Sequence, residues 1–162
     1  MKSLKLIVAA ATLAFTISTA HAANIVEIAA STGKFNTLIA AAKAAGLVPA
    51  LTSKGPITVF APTDAAFAKL PAGTVEELLK PKNKQKLANI LKYHVVAGAI
   101  YAKDVPTKAT HVKTLKASGD RTIRVIRAGG KVHVDNARVI QANIKADNGV
   151  IHVINRVLLP SS

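Results

Sequence analysis

Residues 57–71, ITVFAPTDAAFAKLP, change character twice. Ile57 to Phe60 is a short β-branched and aromatic run, which reads as a buried strand introduced by Pro56. Pro62 ends that run. Thr63 or Asp64 then caps a helical turn by accepting from its free backbone N–H groups, with Phe67 and Leu70 on one face, and Pro71 closes the element. Such a strand-to-helix corner either carries a nucleophile or anion site, or simply turns the chain. Chemistry at Thr63 or Asp64 would need a base within hydrogen-bond reach and a third group to orient it. The chain has no G-x-S-x-G elbow, no P-loop and no H-E-x-x-H motif. Capping already accounts for a threonine and an aspartate at a helix start, so the corner reads as structural and no catalytic residue is assigned.

On the N-terminal side, Phe35, Leu38, Ile39 and Ala42 recur at i, i+3, i+4 and i+7, which predicts a helix with one buried face that Gly46 ends. On the C-terminal side, Thr74-Val75-Glu76-Glu77 fits a capping box, in which threonine and glutamate satisfy each other's backbone donors. Pro81 breaks that helix. Asn83 can cap the next, which places Leu87, Ile90, Leu91 and His94 on one face. Residues 110 to 159 read as strands, with turn signals at Ser118-Gly119-Asp120, Gly129-Gly130, Asp135-Asn136 and Asp147-Asn148-Gly149. Helices early and strands late argue for an α+β domain rather than a βαβ repeat.

The chain has 162 residues, half of them hydrophobic, enough for one domain with a real core. Residues 1–22 read as a signal peptide. Lys2 and Lys5 form a basic start, Leu6 to Ile17 an apolar stretch too short to span a bilayer, and Ala20-His21-Ala22 a cleavage signal. The remaining residues, 23–162, read as a single domain with no later membrane span, so the protein is expected to be secreted or periplasmic. With no cysteine in the chain, there is no disulfide and no thiolate metal site, and packing must hold the fold.

Lysine and arginine number 22 against 8 acidic residues; without Lys2 and Lys5 the net charge is +12. Such a surface attracts acidic polysaccharide, lipopolysaccharide, anionic lipid or nucleic acid. The run Lys80, Lys82, Lys84 and Lys86 has its apolar neighbours Leu87, Ile90 and Leu91 on the buried face. The lysines are therefore expected to be solvated and unpaired, and they are the candidate polyanion contact. Arg121 and Arg127 fall on one strand face and Arg124 on the other, so these three cannot all join one patch.

Three motifs in order carry a resemblance: TVFAPTDAAFAKLP at 58–71, Tyr93-His94-Val95-Val96, and GVIHVINRVLLP at 149–160. They resemble the two signature blocks and the central Tyr-His motif of the fasciclin (FAS1) domain family, over about residues 24 to 160. The resemblance implies a small secreted single-domain protein in which a seven-stranded wedge or sandwich packs against several helices. It also implies adhesion or binding outside the cell, without catalysis or a cofactor. Thr63, Asp64, Tyr93, His94 and His152 are then the structural motif residues. The Tyr-His region has been proposed as a receptor contact in animal members, yet the apolar flanks of His94 point to burial with one internal hydrogen-bond partner. His94 and His152 could pair at a metal, but zinc takes three or four ligands and carboxylates are scarce here, so no metal is assigned.

The chain departs from that family at Asn143 and Asn155, where many members have aspartate, and at Lys82, Lys84, Gln85 and Lys86, where acidic residues are common. A receptor contact that depends on aspartate loses support, and a polyanion partner such as anionic polysaccharide, lipopolysaccharide or a matrix or cell-surface component gains it. Small-molecule binding or hydrolysis in an unrecognised pocket is the alternative. Nucleic acid is disfavoured by export and by the scarcity of aromatics, since only Phe35, Phe60, Phe67, Tyr93 and Tyr101 follow the leader. Intact-mass measurement of exported protein is expected to find Ala23 at the N-terminus, and a retained Met1 would contradict the leader.

Overall fold

The computed structural model describes residues 23–116 and 119–160, so the leader and Ser118 lie outside the described residues. Six α-helices are described: α1 (Ile25–Thr32), α2 (Asn36–Ala45), α3 (Val48–Thr52), α4 (Asp64–Ala68), α5 (Thr74–Leu79) and α6 (Lys84–Tyr93). The strands are β1 (Ile57–Pro62), β2 (Val95–Ala97), β3 (Thr110–Lys113), β4 (Thr122–Ala128), β5 (Lys131–Val134), β6 (Ala137–Ala146) and β7 (Gly149–Ile154). The domain is α+β.

The strands form one sheet in the order β2-β1-β7-β6-β5-β4-β3. Its pivot is the parallel pair β1 and β7, matched from Ile57↔Gly149 to Pro62↔Ile154. All other neighbouring pairs are antiparallel. The two outer strands approach one another: Val96 bridges Thr114, and the Leu115 N–H donates to the Val95 carbonyl at 2.8 Å. The wedge or sandwich expected from the resemblance is therefore a sheet curled almost to a closed barrel.

This curling gives the chain two cores. One face of β1 and β7, Ile57, Val59, Ala61, Ile151 and Val153, packs against Ile25, Phe35, Leu38, Leu87 and Leu91 of the helical layer. The other face, Phe60 and Ile154, points into the curl with Val96, Ile123, Val125, Val134 and Leu158. A strand buried on both faces must be apolar at successive positions, which is why ITVFAP and VIHVI read as continuous runs. Phe60, Ile123, Ile154 and Leu158 are at most 1% exposed, and burying each such side chain is worth about 1.5–3 kcal/mol.

Several local expectations change in the folded chain. The Thr74–Glu77 capping box does not form. Gly73, at φ +82°, occupies the cap position, and the Glu77 carboxylate turns instead to Lys80, Lys82 and Asn83. Asn83 stands before α6 but spends its amide on Glu77, donating to the backbone oxygen at 2.6 Å. Helix α1 was not expected from periodicity; Asn24 and Glu27 cap it reciprocally, with Asn24 Oδ1 accepting from the Glu27 N–H at 3.0 Å.

Gly149 opens β7 where β1 passes closest. A Cβ there would overlap the Ile57 carbonyl, whereas one at Gly129 would meet nothing within 4 Å, although φ is +58°. Gly149→Ala is therefore expected to lower stability by on the order of 3 kcal/mol. Gly129→Ala should cost only about 1 kcal/mol, from its left-handed backbone. Urea denaturation of the two variants checks the order, and equal losses would contradict it.

Candidate functional site

The corner after β1 joins two helices by two different caps. Thr63 Oγ1 accepts from the Ala66 N–H at 3.1 Å and so caps its own helix, α4. Asp64 does not cap that helix. Its Oδ1 accepts from the Thr37 N–H at 2.8 Å and its Oδ2 from the Asn36 amide at 3.3 Å, at the start of α2, where Phe35 offers no side-chain cap. Partial burial pushes the Asp64 carboxyl up, but the bonds from Thr37 and Asn36 outweigh it and hold it below the ordinary carboxylate value. The carboxylate is thus fixed as an acceptor at a helix N-terminus.

Tyr93 and His94 end α6 and fasten it to opposite sides of the fold. The Tyr93 hydroxyl lies 3.0 Å from both the Thr122 carbonyl and Asp135 Oδ2, and the other carboxylate oxygen of Asp135 accepts from the Arg124 N–H at 2.8 Å. Burial, and then the Asp135 charge, push the Tyr93 phenol above its ordinary value. His94 is 2% exposed, with Nδ1 2.8 Å from the Ile90 carbonyl and Nε2 accepting from the Leu158 N–H at 2.8 Å. Those partners require the neutral ring with its proton on Nδ1. Burial pushes the imidazole down to about 4, opposed by the Ile90 bond.

His152 holds the opposite tautomer. Its Nδ1 accepts from the Asn143 N–H at 3.2 Å, so Nε2 carries the proton and donates to the Ile100 carbonyl, while the ring stacks on Phe60 at 5.6 Å. Burial pushes this imidazole down as well, against the Ile100 bond. Both ring nitrogens of each histidine are engaged with backbone. Among the described residues, no group of three or more His, Cys, Asp or Glu could hold a metal.

The lysine run departs most from expectation. Lys80 and Lys82 are paired with Glu77 at 2.6 and 2.9 Å, though both stay exposed. These lysines hold the Glu77 carboxyl below its ordinary value. Lys84 lies over the C-terminus of α2, its Nζ 3.7 Å from where a Cβ on Gly46 would stand. Lys86 lines a groove beside α5. The physical reason is the break at Pro81, which passes through a 3-10 turn (Pro81–Asn83) and sends successive lysines toward different neighbours. Arg124 is exposed on the outer face of β4, and Arg127 is half-buried on the face of Ile123 and Val125.

Two polar groups that sequence reasoning passed over hold the fold from inside. Asn148, read as a turn residue, is buried; its Oδ1 accepts from the Ile25 N–H at 3.1 Å, and its amide donates to the Leu51 and Ser53 carbonyls at 2.7 and 3.0 Å. Thr58 is fully buried and links β1 to the loop after β2 through the Gly98 carbonyl and the Ile100 N–H. Nothing in the local pattern separates Asn148 from any other asparagine before a glycine. Asn143 and Asn155 both act as side-chain acceptors, from the Ala102 and Arg138 N–H groups at 2.9 and 2.8 Å.

The fasciclin-domain profile matches residues 33–160, and the chain belongs to the fasciclin domain family. It is 54% identical over 143 residues to protein sll1483 of Synechocystis, covering 88% of this chain and 77% of that protein. It is 40% identical over 141 residues to transforming growth factor-beta-induced protein ig-h3 of Sus scrofa, covering 84% of this chain but 19% of that one. Among solved structures, a FAS1 domain pair from the insect cell adhesion molecule fasciclin I matches with a TM-score of 0.72 at 20% identity, over 85% of this chain and 51% of the pair.

His94 makes stability depend on pH. Above its ordinary value of 6.5 the ring is neutral folded or unfolded; below it, the unfolded chain takes a proton that the folded chain refuses until about pH 4. Stability is therefore expected to fall as pH drops from 6.5 to 4, by on the order of 3 kcal/mol. His94→Gln should flatten that slope, leaving the part of the same sign that His152 contributes. Urea denaturation at several pH values measures it, and an unchanged slope would contradict the role of His94.

Proposed function

We propose that this protein is a non-enzymatic binding module, exported as residues 23–162, that contacts anionic polymers of the cell envelope or matrix through its cationic surface. The observation that carries this reading is the excess of cations, together with the partners that the few acidic side chains already have. Glu27 and Asp64 cap helices, Asp104 accepts from the Tyr101 N–H, Asp135 serves Tyr93 and Arg124, and Glu77 serves Lys80, Lys82 and Asn83. Of 8 acidic residues, these five already have partners within the fold, while residues 23–162 carry 20 basic ones. A hydrogen-bonded carboxylate keeps its charge, so the outward field is set by the net charge of +12 on residues 23–162 and is strongly positive.

Lys84, Lys86 and Arg124 are better contacts than Lys80 and Lys82, whose charges Glu77 partly offsets. Nucleic acid gains no support, because Phe35, Phe60, Phe67 and Tyr93 are buried and stacking needs exposed rings. The leader read at residues 1–22 and membership of the fasciclin domain family favour a place outside the cytoplasm, and among the described residues no helix is long and apolar enough to cross a membrane.

Binding to an immobilised acidic polysaccharide and to lipopolysaccharide is expected at about 50 mM salt and should weaken severalfold by about 300 mM, because exposed charges are screened over about 8 Å at physiological salt. The triple change Lys84→Gln, Lys86→Gln, Arg124→Gln should weaken binding more than the pair Lys80→Gln, Lys82→Gln. No binding at low salt, or binding that survives both high salt and the triple change, would leave the charge as a solubility feature.

A further inference from the structure

The groove beside Lys86 combines features that the polymer reading does not use. It lies between α5, α6 and the C-terminal segment and has a volume of about 590 Å³. Its apolar wall is Leu78, Ile90, Leu159 and Pro160, and its cations are Lys86 and Lys116. Among the described residues no carboxylate lines it. By contrast, the apolar cavity under α1, α2 and α3 measures about 40 Å³, room for little more than a water or two.

Helical spacing builds one side of the groove, since Lys86, Asn89 and Ile90 stand at i, i+3 and i+4 on α6. His94 builds the other. Its Nε2 holds the Leu158 N–H, and Leu158 is fully buried, so the chain must present the next residue, Leu159, outward, where it is 52% exposed. Among the described residues, Lys116 Nζ makes one bond, to the Asp120 carbonyl at 2.8 Å, and an ammonium group has three N–H donors, so two face other acceptors. Lys86 is exposed, and the acidic group that senses it, Glu77, is already committed to Lys80 and Lys82.

We propose that this groove binds a single-chain anionic amphiphile of the fatty-acid type. The acyl chain lies along Leu78, Ile90, Leu159 and Pro160, and the carboxylate accepts from Lys86 and Lys116. Two cations with no carboxylate among the described lining residues favour an anionic head, the apolar wall favours a hydrocarbon body, and the volume falls within the roughly 300–1,000 Å³ of small-molecule sites. A polymer contact needs only the charges; this site needs Leu159 as well.

Calorimetric titration of the exported protein with octanoate, decanoate and laurate, each below its micelle concentration, tests the proposal. Affinity is expected to rise about tenfold for every two methylenes added, the gain from burying about 0.8 kcal/mol per methylene. The double change Lys86→Gln, Lys116→Gln should weaken laurate about tenfold or more and leave uncharged dodecyl maltoside unaffected, as loss of a charge-assisted contact requires. Leu159→Ser, at an exposed position, should weaken laurate without lowering the melting temperature. Lys84→Gln, outside the groove, should leave laurate binding intact while weakening polymer binding, which separates the two sites. The proposal is overturned if laurate does not saturate the protein, if affinity is independent of chain length, or if either groove variant binds laurate like the parent.

Discussion

The parallel pairing of β1 with β7 is the constraint on which the rest of the structure depends. It joins Ile57–Pro62, which follows the first three helices, to Gly149–Ile154, the last strand, and each of its faces is one wall of a separate core. Parallel strands cannot be joined by a tight turn, so everything between them must be a crossover. Here the crossover holds four of the remaining strands and three helices before β6 returns to β7. The price of that arrangement is close backbone approach at its start, where Gly55 faces the Asn148 carbonyl and Gly149 faces that of Ile57.

Buried polar groups then lock elements that apolar packing alone would leave free to slide. Asn148 joins α1 and the end of α3 to the turn before β7, Thr58 joins β1 to the loop after β2, and His94 joins α6 to the C-terminal segment. Among the described residues no buried side-chain nitrogen or oxygen lacks a partner. Fully satisfied groups of this kind specify one arrangement, because any shift leaves a donor or acceptor orphaned in low dielectric. The same logic gives the two histidines opposite tautomers, since each ring must match one backbone donor and one backbone acceptor.

The surface charge follows from composition. With 20 basic residues against 8 acidic ones in residues 23–162, the cations outnumber any carboxylates that could offset them, and Glu77 alone is shared by Lys80 and Lys82. Where α6 and the C-terminal segment diverge, that excess meets exposed apolar surface at Leu159, and the groove there owes its shape to the buried anchor at Leu158.

Much of this molecule was legible from local pattern. The helical period from Phe35 to Gly46 became α2, the turn signals after residue 110 separated β3 through β7, and the alternation along β4 put Arg124 and Arg127 on opposite faces. Spacing reports such features because they depend on which face of one element is apolar. The motifs at 58–71, 93–96 and 149–160 placed the chain in its family, but they did not say what each residue touches. Asp64 caps a helix that begins 28 residues before it, Glu77 abandons its own capping box for two lysines, and Asn148 reaches three backbone groups distant in sequence. A side chain with several local partners in reach chooses among them only once packing fixes distances, so those assignments belonged to the tertiary structure.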